Sequence, residues 1–315
     1  MYSILRNRLL PSKSILCLLV VALSVKTSGQ SFDEVRPPIA LAGKPVTRFQ
    51  NGIFPIVEVD LATLSAVDKT GRILFTATVS VPGARTTAIR SIAVSPSGKL
   101  AVAVSAISPD GRLAPGLVFL DRNGAVTSLT RTSPFHIASI VFVDESKLAA
   151  LGRATDDQWN EIPGHKVLRY YDTKGTFLSD SLPVESTRIN GGHPALGGEL
   201  IGRPAGVAIL YREHRLLVEV DADGNAPLHV WDFASVLPAK SEFAGFGYGR
   251  SGRRTLAAMA GDLSAFFDLS VAGGKLEGRQ LAIQLPPGIH GVTLLGMDGD
   301  RLALLSGGSV FFVPR

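Results

Sequence analysis

Beyond residue 50 the chain is built from short apolar runs that alternate with polar residues and are separated by Gly, Pro, Asp and Ser. Apolar residues at every second position, with turn residues between the runs, predict β-strands joined by tight turns. Helical periodicity is scarce, and only residues 233–240 have the pattern of a short helical turn. The pattern therefore predicts an all-β protein.

One short pattern recurs along the chain, a strand of four residues followed by aspartate. Successive aspartates lie 53, 51, 49 and 47 residues apart, and a sixth copy ends in Val313 after another 45. In four copies a glycine follows three residues later, as Gly71 follows Asp68. Because Asp bonds its own backbone and Gly adopts a positive φ, Asp-x-x-Gly predicts a hairpin turn. The repeat aspartates are Asp68, Asp121, Asp172, Asp221 and Asp268.

A second pattern places an alanine at the centre of an apolar strand that precedes the aspartate strand. These alanines lie 48, 59, 49 and 46 residues apart. A small residue at this place fits a strand that packs tightly against a neighbouring sheet. The repeat alanines are Ala101, Ala149, Ala208, Ala257 and Ala303.

Two patterns in register, repeated about every fifty residues, define six units with room for four strands each. This predicts an all-β fold, a single β-propeller of six four-stranded blades over residues 53–315, with seven blades if residues 31–63 contain a fuller blade. The last unit ends after its third strand. The N-terminal segment 30–52, and within it 37–47, is therefore expected to supply the missing outer strand and close the ring, which removes free sheet edges.

Two turns resemble known propeller repeats. Val94-Ser-Pro-Ser-Gly-Lys-Leu-Ala resembles the Ser-Pro-Asp-Gly-Lys turn of bacterial six- and seven-bladed propellers of the TolB-like, NHL-like and WD40-like groups. Arg122-Asn-Gly-Ala-Val is similar to the hairpins of those repeats. The resemblance implies the propeller fold and no activity. Trp231-Asp232 occurs once, so the regular WD40 signature is missing.

The first 29 residues predict a secretory signal peptide. A basic start precedes an apolar run of eleven residues at 15–25, and the small residues Thr27 and Gly29 precede a cleavage site before Gln30. A membrane anchor is the alternative, but eleven residues span only about half of the hydrocarbon core. We therefore expect export to the periplasm or the extracellular space, with no membrane span after cleavage.

Loss of the signal peptide changes the charge of the protein. The full chain has 32 Lys and Arg against 27 Asp and Glu, but residues 1–29 contain four basic residues and no acid. The mature chain would have 28 basic and 27 acidic residues and no cysteine, because Cys17 lies in the signal segment. A net charge of +1 gives no support for nucleic-acid binding, and disulfide and thiol chemistry are excluded.

The units differ in the length of one class of loop. The repeat alanine and the repeat aspartate, or its counterpart, are 20 and 23 residues apart in units two and three but 13, 11 and 10 in the next three. Insertions of this kind map to one face of a repeat protein, often the binding face. In the second insertion, residues 152–166, carboxylates could bind a cation such as Ca²⁺ or a sugar hydroxyl, and an indole could stack on a ring. The alternative is a solvated loop without a ligand. The candidate ligand-binding residues are Asp156, Asp157, Trp159, Glu161 and His165.

Three histidines suggest a metal site. His136, His193 and His290 lie 13 to 15 residues before a repeat alanine, so each is expected to enter an innermost strand at the mouth of the central channel. Neutral imidazoles from several blades could bind Zn²⁺. This resembles the propeller lyase that amidates peptides, whose channel histidines hold zinc. The equivalent positions in units two and five are Ala88 and Ala244, so histidines without metal are the alternative.

The sequence thus predicts an exported, monomeric propeller that binds a small-molecule or protein ligand. The alternatives are a metal-dependent propeller enzyme, either a lyase or a lactonase-like hydrolase, and a structural protein of the cell envelope. No cofactor is predicted apart from the divalent metal, Zn²⁺ or Ca²⁺, of these hypotheses. The charged segment 212–215 is interpreted as a solvated turn.

Overall fold

The computed structural model describes residues 33–35, 48–183, 197–221, 227–238, 240–285 and 287–315, which lie in one unit spanning Phe32–Arg315. The predicted signal peptide, residues 1–29, lies outside them. Within the described residues the regular secondary structure is entirely β, and they contain no helix long and apolar enough to cross a membrane.

The described strands form six antiparallel sheets, which are the six blades of a propeller, so the predicted fold is confirmed. The first described strand, β1 (Asp33–Val35), belongs to the last blade. Blade 1 contains β2 (Ile53–Val57), β3 (Thr63–Asp68) and β4 (Ile73–Thr78). Blade 2 contains β5 (Thr86–Val94), β6 (Leu100–Ile107), β7 (Leu113–Leu120) and β8 (Val126–Arg131). Blade 3 contains β9 (Phe135–Phe142), β10 (Lys147–Ala154), β11 (Lys166–Asp172) and β12 (Phe177–Pro183).

The remaining blades follow the same order from the channel outward. Blade 4 contains β13 (Gly198–Arg203), β14 (Gly206–Tyr211), β15 (Leu216–Asp221) and β16 (Pro227–Asp232). Blade 5 contains β17 (Glu242–Tyr248), β18 (Arg254–Ala260), β19 (Leu263–Ala272) and β20 (Lys275–Leu281). Blade 6 contains β21 (Thr293–Asp298), β22 (Arg301–Ser306), β23 (Ser309–Pro314) and β1.

The ring closes with the N-terminal strand. β1 pairs antiparallel with β23, the last strand, and places Asp33 opposite Phe312 and Val35 opposite Val310. Closure by an N-terminal strand is therefore confirmed, and the sixth sheet draws its strands from both ends of the chain. The strand lies at 33–35, while the segment 37–47 predicted for this role lies outside the described residues.

Blade 1 departs from the four-stranded prediction. Its sheet has three described strands, and residues 48–50 lie where the other blades have an innermost strand. The Phe49 N–H donates to the Leu295 carbonyl of blade 6 (3.2 Å). The Gln50 side chain accepts a hydrogen bond from the Val94 N–H of blade 2 (3.0 Å). One main-chain and one side-chain hydrogen bond thus connect this segment to both neighbouring blades.

Both repeat patterns occupy equivalent places in the blades. Each repeat alanine is fully buried in the second strand. In the turn after the third strand, Asp121 accepts hydrogen bonds from the N–H groups of Asn123 (2.8 Å) and Ala125 (2.9 Å), and Gly124 has a φ of 85°. The turns at residues 68 and 172 repeat this geometry, which confirms the predicted hairpin. Residues 222–226, which follow the fourth aspartate, lie outside the described part of the chain.

Two of these turn glycines also contact the preceding blade. A Cβ atom on Gly124 would collide with the ring of Phe75 in blade 1, and one on Gly175 would collide with Thr130 in blade 2. Because glycine has no Cβ, it allows both the positive φ of the turn and the close approach of neighbouring blades.

A buried carboxylate joins blades 4 and 5. Glu219, which is 1% exposed, lies opposite a repeat alanine at a position that is aromatic in four other blades. The aromatic counterparts are Phe119, Tyr170, Phe266 and Phe312. Its carboxylate accepts hydrogen bonds from Trp231 Nε1 (2.9 Å), Tyr248 Oη (2.7 Å) and Arg254 Nε (2.8 Å). Burial alone would raise the pKa of Glu219, but these hydrogen bonds outweigh it and lower the pKa to about 2.

Candidate functional site

The candidate loop and the start of β9 lie at the same end of blade 3. β9 and β10 are antiparallel neighbours, with Arg153 opposite His136 and Ala154 opposite Phe135. The loop 155–165 therefore leaves β10 beside the residues where β9 begins. In such a blade the loops after the second strand and before the first strand share one face. We call this the loop face.

Trp159 and His136 form an aromatic platform on the loop face. Their ring centroids lie 5.1 Å apart at an interplanar angle of 33°. Trp159 remains 49% exposed, so much of the indole is open to solvent. Burial, and then the positive charge of Arg153, lower the pKa of His136. A neutral imidazole therefore packs against the indole at pH 7.

The loop that carries Trp159 repeats the hairpin turn of the blades with tryptophan in place of glycine. Asp156 Oδ1 accepts hydrogen bonds from the N–H groups of Gln158 (2.9 Å) and Asn160 (2.8 Å), as in the repeat turns. Trp159 has a φ of 69°, in the left-handed region that Gly124 occupies in its own turn. Because a residue with a Cβ pays about 1–2 kcal/mol there, the turn holds the indole at a place that the backbone disfavours.

The predicted carboxylates of the loop differ in their surroundings. Both oxygens of Asp156 accept hydrogen bonds within its own turn, Oδ2 from the Asn160 side chain (3.1 Å), and these bonds hold its pKa below the ordinary value. Glu161 is half-buried and pairs with Thr155 through the main chain. Asp157 is exposed. Both aspartates are exposed, but Asp156 closes the turn, whereas Asp157 takes no part in these turn hydrogen bonds.

His165 lies beneath the loop rather than on its surface. It is 8% exposed, and its Nδ1 lies 2.8 Å from the Ile162 carbonyl oxygen. A carbonyl oxygen only accepts hydrogen bonds, so Nδ1–H donates to it. Nε2 is buried and has no hydrogen-bond partner within the described structure. His165 therefore anchors the end of the loop.

The three-histidine metal site stays a prediction. His193 lies outside the described residues, His136 belongs to the platform, and His290 is exposed before β21. Across the described ranges, no group of three or more His, Cys, Asp or Glu side chains is placed to hold a metal ion.

A cavity of about 350 Å³ occupies the central channel, and residues of all six blades line it. Arg48 crosses this cavity from blade 1 to blade 4: its Nη1 donates to the Leu200 carbonyl (2.7 Å), and its Nη2 contacts the Glu199 carboxylate. Arg212, which the sequence assigned to a solvated turn, donates from Nε (3.0 Å) and Nη2 (2.7 Å) to the same carboxylate. No repeat position or motif connects these three charged residues, so the sequence analysis missed them.

The charges in the channel do not cancel. Burial alone would raise the pKa of Glu199, but Arg48 and Arg212 outweigh it and lower the pKa, so the carboxylate is ionised at pH 7. Burial lowers the pKa of Arg48. The ordinary pKa of a guanidinium is so high that Arg48 nevertheless stays protonated at pH 7. Two guanidinium groups and one carboxylate leave a formal charge of +1 on the cavity wall.

No protein-family model matches the chain, and no curated protein matches its sequence. Among solved structures it is similar to an aldose sugar dehydrogenase from Escherichia coli in the apo-form, with 14% identity over 90% of this chain and 100% of that chain and a TM-score of 0.49. It is also similar to hydrazine synthase from Kuenenia stuttgartiensis (11% identity, 85% and 76% covered, TM-score 0.47). A protein of unknown function from Bacteroides caccae is a further match (11% identity, 78% and 79% covered, TM-score 0.48). The strand pairing within the six sheets defines the fold.

Proposed function

We propose that this protein is an exported, monomeric binding module of the TolB-like, NHL-like and WD40-like propeller group. The platform of Trp159 and His136 captures a ring-shaped ligand, a saccharide, at the loop face. One observation carries the proposal: Trp159 is exposed and held in a backbone conformation that favours glycine. A turn that only joined β10 to β11 would be more stable with glycine, which the repeat turns use.

The chemistry of the platform suits a sugar. An indole offers a large, rigid and apolar face for the C–H side of a sugar ring. The exposed Asp157 carboxylate, which directly follows the turn aspartate, accepts hydrogen bonds from hydroxyl groups. Because burial lowers the pKa of His136, the ring that packs against the indole is uncharged at pH 7.

Export rests on the N-terminal segment. Fused to a reporter that lacks its own signal, residues 1–29 should carry the reporter out of the cytoplasm, and the processed product should begin at the equivalent of Gln30. Fractionation and N-terminal sequencing measure this. A reporter that stays in the cytoplasm would remove export from the proposal and leave the platform unaffected.

Fluorescence can detect binding at the platform directly. The chain has two tryptophans, of which Trp231 is buried and Trp159 is exposed, so a soluble quencher reaches mainly Trp159. We would titrate the purified mature protein with maltotriose, cellotriose and chitotriose and measure acrylamide quenching. A saccharide bound at the platform should shift the emission to shorter wavelength and reduce the quenching.

The variant Trp159→Gly separates binding from folding. It removes the indole and supplies the residue that the backbone of this turn favours. The variant should keep the circular dichroism of the wild type and lose saccharide binding in calorimetry, whereas Gln158→Gly in the same turn should keep it. The proposal is wrong if no saccharide protects Trp159, or if Trp159→Gly binds as tightly as the wild type.

A further inference from the structure

We infer that the central channel contains a second site, separate from the platform, that binds a small organic anion with an apolar body. The site is the cavity of about 350 Å³ crossed by Arg48. Its volume lies at the low end of the range of small-molecule sites, about 300–1,000 Å³. Trp159 and His136 are not among the residues that line it.

The positive charge of the cavity arises because two arginines share a single carboxylate. Arg48 and Arg212 share the Glu199 carboxylate, one guanidinium on each oxygen. Arg212 uses two of its N–H donors on this carboxylate, and its side chain is 52% exposed at the loop face. A guanidinium has five N–H donors, so Arg212 can bind a second carboxylate without breaking the first contact.

Serine hydroxyls line the same cavity at equivalent places in two blades. Ser91 Oγ accepts a hydrogen bond from the Ile140 N–H (3.1 Å), and Ser139 Oγ accepts one from the Leu200 N–H (2.9 Å). Each hydroxyl keeps its own hydrogen, which can be donated into the cavity. The polar lining residues therefore include cationic and hydroxyl donors, which an anion requires.

Most of the remaining lining is apolar and belongs mainly to the inner strands, and Gln50 and Thr293 add two further polar side chains. Aliphatic and aromatic side chains of this kind bind the body of a ligand while the charged groups orient it. The apolar lining residues are Ile92, Ile140, Leu200, Phe246, Leu294, Leu295 and Leu305. A short-chain carboxylate matches both parts of the cavity, whereas a polyanion would leave charges against this apolar wall.

Hexanoate and its neutral counterpart hexanamide are suitable probes, titrated against the purified mature protein by saturation-transfer NMR. Hexanoate should bind at least about tenfold more tightly than hexanamide, the effect of one hydrogen bond to a charged group. Octanoate should bind more tightly than hexanoate because its two extra methylenes enter the apolar part, by up to about fourfold for each. Equal binding of hexanoate and hexanamide would overturn the inference.

Variants give effects of opposite sign. Arg212→Gln makes the lining neutral and should weaken hexanoate about tenfold, while Glu199→Gln raises the lining charge and should strengthen it. Arg215→Gln is the matched control, since it lies on the same hairpin, is exposed and does not line the cavity. Equal effects of the two arginine variants, or weaker binding in Glu199→Gln, would also overturn the inference. Trp159→Gly should leave hexanoate affinity unchanged, which distinguishes failure of this site from failure of the platform.

Discussion

Replacement of Trp159 by alanine and by glycine tests whether the turn forces a left-handed backbone on this residue. Both variants lose the indole, its packing on His136 and its buried surface to the same extent. The difference between their stabilities therefore isolates the backbone. Gln158, in the same turn and also exposed, is the matched position because it does not have a positive φ.

The expected difference follows from two opposing effects. At position 159, where φ is 69°, alanine pays about 1–2 kcal/mol for the left-handed conformation, which glycine avoids. Glycine gains about 0.4–1 kcal/mol more freedom in the unfolded chain. Trp159→Gly should therefore be the more stable variant by about 0.5–1 kcal/mol. At Gln158 only the second effect operates, so alanine should be the more stable residue there by about 0.4–1 kcal/mol.

Urea-induced unfolding at about 25 °C measures both differences. The transition is best followed by far-ultraviolet circular dichroism, because the substitutions at position 159 remove the exposed fluorophore. The order of stability should reverse between the two neighbouring positions. If alanine is more stable than glycine at both, Trp159 does not occupy a left-handed conformation in solution, and the proposed platform loses the observation that carries it.

Two further predictions concern the blade contacts. The pKa of Glu219 in the folded protein is about 2, below its ordinary value of 4.5, so its contribution of about 3 kcal/mol is complete above pH 4.5 and is lost as the pH falls toward 2. The free energy of unfolding, measured between about pH 5 and pH 2, should therefore decline less steeply in Glu219→Gln than in the wild type, and equal slopes would contradict this. In thermal unfolding, Gly175→Ala should lose about 1–3 kcal/mol more stability than Gly111→Ala, because both glycines have a φ above 80° but only a Cβ at position 175 would collide with Thr130. Equal losses of stability would show that the contact between blades is not tight.

The repeat made much of the fold predictable. The blades share patterns that can be read in the sequence: alternating apolar residues, an alanine in the second strand, and Asp with Gly in the turn after the third strand. The structure shows that each of these alanines is buried. The last unit lacks an outer strand, which was enough to predict closure from the N-terminus. The position of that strand, Asp33–Val35, was not predicted, because a single strand of three residues carries no repeat signal and its pairing with β23 is a contact between the ends of the chain.

The composition of the candidate loop, residues 155–165, was enough to single it out in the sequence. The roles of its individual residues became clear only from their hydrogen bonds in the structure. Asp156 and Asp157 are adjacent, exposed acids that the loop composition does not distinguish, yet only Asp156 accepts the hydrogen bonds that close the turn. The spacing of Asp156 and Trp159 matches the repeat turn, and this signal was available in the sequence. It was masked because tryptophan replaces the glycine by which such turns are recognised.

The sequence by itself determined the class of fold, the six repeat units and the loop that carries Trp159, because these depend on residues close along the chain, whereas the structure decided between six and seven blades. Tertiary structure alone decided the contents of the channel. Arg48 and Glu199 meet across the ring although 151 positions separate them in the chain. Closing the ring brings inner strands of all blades to one axis, and side chains with no sequence relation then share one cavity and one excess charge.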